Sequence, residues 1–93
     1  MRKADISEIF KVLSVETRLK IITLLREKPR CVSALSQELG VSITATSQHL
    51  RLMRNYDLVN SERHGYYIRY TLVEKTLKTW RREIDRILDI GKG

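Results

Sequence analysis

Three residues, Gly40-Val41-Ser42, constrain what this 93-residue chain can fold into more than any other feature. Upstream of them, Ser33 to Leu39 reads as a short helix with Ser33 as its N-cap. Gly40 stops that helix in the left-handed conformation that glycine tolerates without steric cost. Ser42 then caps a longer helix running from Ile43 to about Arg54. A short helix, a tight glycine-containing turn and a longer helix, in that order, make a helix-turn-helix.

The flanking segments extend the pattern. Asp5, followed three residues later by Glu8, has the spacing of a capping box. Ile6, Ile9, Phe10 and Leu13 follow at helical spacing. Ser14 reads as the cap of a second helix, with Leu19, Ile22 and Leu25 on one face and Ile21 and Leu24 widening it. Arg26 and Lys28 suit its C-terminal end, and the sole proline, Pro29, stops it. Cys31-Val32 is a brief extended link. Downstream, Leu58–Arg63 and Tyr66–Leu72 are rich in β-branched and aromatic residues around a His64-Gly65 break, which signals a hairpin. On the second strand Tyr66, Ile68 and Tyr70 share one face and Tyr67, Arg69 and Thr71 the other. The three strand tyrosines are expected to pack rather than to serve as base-stacking platforms, since single-strand binders need a wider aromatic sheet. From Val73 to about Ile90 the pattern is helical again, with a stripe of Leu77, Trp80, Ile84, Ile87 and Leu88 opposite a charged face. Gly91-Lys92-Gly93 is a fraying end.

The expected fold is therefore mainly α with a small β-hairpin, a winged helix-turn-helix of order α-α-α-α-β-β-α. It forms one domain over residues 1–93. The apolar stripes of the first and last helices both need cover. Their residues, Ile6, Ile9, Phe10 and Leu13 with Leu77, Trp80, Ile84, Ile87 and Leu88, are expected to form the interface of a homodimer.

Composition narrows the function. Eighteen Lys and Arg against 11 Asp and Glu give a net charge of +7 and a pI of about 9.9, which favours an anionic partner. No apolar run approaches the roughly 18 residues of a membrane span. The basic start, Met1-Arg2-Lys3-Ala4-Asp5, is not followed by an apolar signal core, so a cytoplasmic location is expected. A single cysteine, Cys31, excludes a disulfide scaffold.

Recognition helices carry small polar side chains at the end that enters the major groove of double-stranded DNA. Ser42, Thr44, Thr46, Ser47 and Gln48 supply them here, and Gln can pair bidentately with adenine. The same residues could also only cap and solvate the helix. Arg51 and Arg54 lie further along, where phosphates are met. At the hairpin tip Arg63 and His64 are placed to reach phosphates or a neighbouring minor groove. No catalytic residues are expected: the two histidines, His49 and His64, fall in different elements, and no nucleophile–base spacing or glycine-rich phosphate loop is present. No metal site or cofactor is expected either, because Cys-x-x-Cys and His-x-x-x-His are both missing. Cys31 reads as a small buried apolar residue and His49 as a hydrogen-bonded structural one.

Three stretches resemble the ArsR/SmtB-type winged-helix repressors. Ser14 to Leu25, with its Thr17-Arg18 pair, is similar to that family's second helix. Val41 to Leu50, ending Ser47-Gln48-His49-Leu50, is similar to the Ser-x-His-Leu of its recognition helix. Arg63 to Leu72 resembles its wing. The resemblance implies a homodimeric repressor with recognition helices in successive major grooves of an imperfect palindrome, relieved by a signal that is often a metal ion. The chain departs from the metal-sensing pattern. Cys31-Val32-Ser33 stands where many members have Cys-x-Cys, residues 73–93 hold no histidine, and Asp57 replaces a common glycine. The expected function is a sequence-specific transcriptional regulator without a metal site. Two alternatives are a winged helix used for protein interaction and a thiol-based redox-responsive regulator acting through Cys31.

Overall fold

Asp5 starts the first helix as the sequence requires. Its Oδ1 accepts the Glu8 N–H at 2.9 Å, and Glu8 Oε1 accepts the Asp5 N–H at 3.3 Å, a complete capping box. The computed structural model describes residues 4–89; Ile90 and Gly91-Lys92-Gly93 lie outside them. α1 spans Ile6–Leu13 and α2 spans Glu16–Glu27. Ser14 does not cap α2. It keeps helical angles at the end of α1 and donates its hydroxyl back to the Lys11 carbonyl at 2.9 Å, so Val15 caps α2 without a side-chain bond. In α2 the buried face is Ile21, Ile22 and Leu25, while Leu19 is exposed.

The link after Pro29 is a strand, β1 (Arg30–Cys31), one residue earlier than expected. Its backbone pairs antiparallel with a later strand and so avoids stranded N–H and C=O groups. α3 (Val32–Leu39) follows with no intervening loop, so Cys31 occupies the N-cap and Ser33 already lies in the first turn.

The turn into α4 (Ile43–Asn55) rests on Ser36, a buried residue that the sequence pattern did not single out. The Ser36 carbonyl accepts the N–H of Gly40 at 2.9 Å and of Val41 at 3.3 Å. Its hydroxyl donates to the Val41 carbonyl. Gly40 sits at φ +68, as expected for the stop. Ser42 then caps α4, its Oγ accepting the Ala45 N–H at 3.0 Å.

α4 ends in a second left-handed residue, Asp57 at φ +61. The Leu58 N–H reaches the Met53 carbonyl and the Asp57 N–H the Arg54 carbonyl, both at 2.9 Å, which is a Schellman closure with an aspartate at the glycine position. The chain then runs into β2 (Val59–His64) and β3 (Tyr67–Leu72). Their turn is Gly65-Tyr66, one residue later than the expected break, because His64 pairs with Tyr67. Gly65 has φ +62, the sign a II′ turn needs at its first central position. The sheet has three strands in the order β1-β3-β2, with Arg30 opposite Tyr70 and Cys31 opposite Arg69. α5 (Glu74–Ile87) is held at its start by the Val73 N–H on the Leu58 carbonyl, 2.9 Å.

One core joins these elements: Ile9 and Val12 of α1, the buried face of α2, Leu35 of α3, Leu50 and Met53 of α4, Leu58 with Val59 at the start of β2, and Trp80 of α5. Trp80 meets Tyr56 edge to face with ring centroids 6.2 Å apart, and the Tyr56 hydroxyl donates to Glu8 Oε2 at 3.0 Å. Two residues expected at a subunit seam therefore lie inside the protomer: Ile9 has no exposed surface and Trp80 only 5%.

A Cβ at Gly40 would meet nothing within 4 Å. Gly40→Ala should therefore cost only the left-handed backbone penalty, about 1–2 kcal/mol. Ser36→Ala should cost ~1 kcal/mol for the lost hydrogen bond. Urea unfolding of both variants measures this, and wild-type midpoints would contradict this account of the turn.

Candidate nucleic-acid interface

α4 divides into two faces three and four residues apart. Thr46, Leu50 and Met53 are buried. Thr46, expected at the DNA surface, is turned inward with no exposed area, and its Oγ1 donates to the Ser42 carbonyl at 2.8 Å. On the outer side Ser42, Thr44, Gln48, Arg51 and Arg54 are exposed and Ser47 is half-buried. Ile43 and Asn55 are also exposed there and were not singled out by the sequence pattern. Asn55 was within reach of it, since it lies one helical turn beyond Arg51.

Between α4 and the wing lies a hollow lined by Ser47, Arg51, Arg54 and Asn55, with Leu50 and, from β3, Tyr70. Among the described residues neither Arg51 nor Arg54 has a carboxylate within ion-pair range. Several other cations are paired: Arg30 with Glu27 at 2.6 Å, Lys20 with Glu16 at 3.2 Å, Arg86 with Glu83 at 3.1 Å. Two uncompensated guanidiniums, two hydroxyls and an amide around one hollow suit an oxyanion.

Behind α4, Arg18 of α2 fastens three helices. Its Nε donates to His49 Nδ1 and its Nη1 to the Val12 carbonyl, each at 3.3 Å. His49 is thus the hydrogen-bonded structural histidine that the sequence pattern implies. Burial, and secondarily the Arg18 charge, lowers its pKa below the ordinary 6.5.

The wing tip mixes charge and apolar surface. Arg63 is exposed, its Nη1 donating to the Gly65 carbonyl at 3.4 Å. His64 is half-buried, with Nε2 3.3 Å from Glu62 Oε1. Tyr66 was expected to pack but is fully exposed because it occupies the turn itself; Tyr67 and Ile68 are also exposed, and Tyr70 alone of the strand tyrosines leans on the core.

Cys31 is half-buried rather than buried. Its Sγ lies 3.4 Å from Ser33 Oγ, and that hydroxyl, followed by the Ala34 N–H at the start of α3, lowers its pKa. One thiol beside one hydroxyl does not fit a thiophilic metal. Among the described residues no group of three or more His, Cys, Asp or Glu could hold a metal ion. On α1 and α5, Phe10, Ile87 and Leu88 are exposed, while Ile6, Leu13, Leu77 and Ile84 are half-buried.

A helix-turn-helix followed by a β-hairpin, with the second helix carrying an exposed polar and basic face, defines a winged helix-turn-helix domain. Residues 16–61 match the model of the arsR family of bacterial regulatory proteins. An ArsR-like transcriptional regulator from Rhodococcus sp. RHA1 is 34% identical, superimposes with a TM-score of 0.77, and is matched over 88% of this chain and 77% of that one. The chain belongs to the ArsR family. The transcriptional repressor SmtB of Mycobacterium tuberculosis is 34% identical over 70 residues, 75% of this chain and 52% of that protein. This chain thus spans about half the length of that curated relative. The homodimeric winged helix-turn-helix DNA-binding domain of Mb0332 from Mycobacterium bovis has the same fold, with a TM-score of 0.72 at 24% identity over 95% of this chain and 82% of that one. No helix among the described residues is long and apolar enough to cross a membrane.

The Arg18–His49 bond needs neutral imidazole. A histidine whose folded pKa is depressed contributes stability that is fully present above the unfolded value of about 6.5 and lost as pH falls through the folded one. Stability should therefore decline as pH falls below about 6.5, and His49→Gln should flatten that decline. Equal slopes in wild type and variant, measured by urea unfolding at stepped pH, would contradict the assignment.

Proposed function

We propose that this chain is a sequence-specific double-stranded DNA-binding transcriptional regulator, a repressor acting as a homodimer on an imperfect palindrome. The observation that carries this reading is the hollow beside α4, where Arg51 and Arg54 stand without carboxylate partners among the described residues. Such charges are stabilised by phosphates, which fix the orientation of a domain on a duplex. Gln48, Thr44 and Ser42 are the base-reading side chains, Ser47 serves the hollow, and Arg63 reaches the backbone from the wing; His64, engaged with Glu62, supports the wing. No catalytic role is assigned to any residue, and the chain works in the cytoplasm as one domain over residues 1–93.

The dimer seam is built from the exposed and half-exposed residues of α1 and α5: Phe10, Ile87 and Leu88 at its centre, with Ile6, Leu13, Leu77 and Ile84 beside them. Ile9 and Trp80 support it from within. Binding to a palindrome requires that seam to hold two copies of α4 about one duplex turn, roughly 34 Å, apart. Relatives named as transcriptional repressors, SmtB among them, support the sign of regulation.

Two tests separate the parts. Arg54→Gln should weaken binding to selected and random duplexes alike and lower the slope of log K against log salt by about 1. Gln48→Ala should cost roughly 1–3 kcal/mol on the selected sequence only. Loss of the same size on both duplexes for both variants would contradict these roles. Ile87→Asp, exposed in the protomer and so harmless to its core, should convert the dimer to monomer in sedimentation at tens of micromolar, roughly the range where weak dimers dissociate. A wild-type chain that is monomeric there would refute the seam.

A further inference from the structure

We propose that Ile43 reads the methyl group of a thymine in the major groove, a specificity contact that rests on the DNA-binding reading above. The first turn of α4 offers few outward groups. The Ser42 Oγ accepts the Ala45 N–H and the Thr46 hydroxyl is turned onto the Ser42 carbonyl. Ala45 is half-buried. The exposed side chains there are Ser42, which keeps its hydroxyl proton to donate, Ile43 and Thr44, at the end of a recognition helix that meets base edges.

Ile43 is 53% exposed and takes no part in the core or in the ring of side chains packed on it. Other large exposed apolar residues lie on α1, α2, α5 and the wing, and Ile43 is the one within residues 32–55. β-Branching holds its side chain in few rotamers, so little freedom is lost on contact. Of the groups that the four unmodified bases present in the major groove, the thymine C5 methyl is the apolar one. Against any other base edge, Ile43 would strip water from a donor or acceptor and return no hydrogen bond.

The test uses the 93-residue chain and duplexes selected by it from random sequence. Each thymine of the selected site is replaced singly by deoxyuridine, which removes the methyl and leaves every hydrogen-bonding group in place. For the wild-type chain, one thymine per half-site should lose affinity about fourfold, the effect of one buried methyl. For Ile43→Ala, the same replacement should cost nothing further, while binding to random duplex and its salt dependence stay as in wild type. Deoxyuridine without effect at every position, or a full loss retained in Ile43→Ala, would overturn the proposal. The wild-type series decides even if the variant folds poorly. Failure to bind any duplex would instead sink the DNA-binding reading itself.

Discussion

Burying Leu50 and Met53 of α4 in the core sets where every other element can go. These side chains leave no more than 1% of their surface to solvent, so α4 cannot rotate about its axis without exposing them. That rotation fixes which residues face outward. The two ends of the helix are held as firmly, by the Ser36 bonds at the Gly40 turn and by the Schellman closure at Asp57. Arg18 then braces the same helix from α2 through His49. The result is a helix whose outer face is presented by a rigid support, the condition under which a binding surface loses least entropy on contact.

The wing depends on the same constraint. Leu58, the residue after the left-handed Asp57, is wholly buried, and its carbonyl receives the Val73 N–H that begins α5. One buried position thus connects the end of α4, the start of β2 and the start of α5. The short β1 strand adds a third partner to the hairpin at β3, tying the wing to the start of α3. The hollow lined by Arg51 and Arg54 is closed on its far side by Tyr70 of β3, the strand that these ties hold in place.

Local signals carried much of this into the sequence. Asp5, Gly40 and Ser42 act through backbone groups a few residues away, so their roles follow from spacing alone; Asp57 enters only through the resemblance, as the replacement for a common glycine. Of the three stretches that resemble the ArsR family, the first and second are joined by a single hydrogen bond between Arg18 and His49. What the pattern missed depends on distant parts of the chain. β1 is a strand only because β3 returns beside it. Ser36 matters because the turn folds back over it, and Thr46 faces inward because it shares the buried face of α4 with Leu50 and Met53. Ile9 and Trp80 read as parts of exposed stripes, yet α2 and Tyr56 bring them into the core. Cys31 reads as buried, whereas strand pairing leaves its thiol at the edge of α3 beside Ser33.

The central claim is that the outer face of α4 and the adjoining wing form the surface that meets duplex DNA. Amide hydrogen exchange of the chain, with and without a selected duplex, tests it most directly. The account predicts added protection in residues 43–55 and 63–69 when the duplex is present, with the buried α2 amides unchanged. Protection confined to other elements, with α4 and the wing exchanging as they do in the free chain, would contradict it.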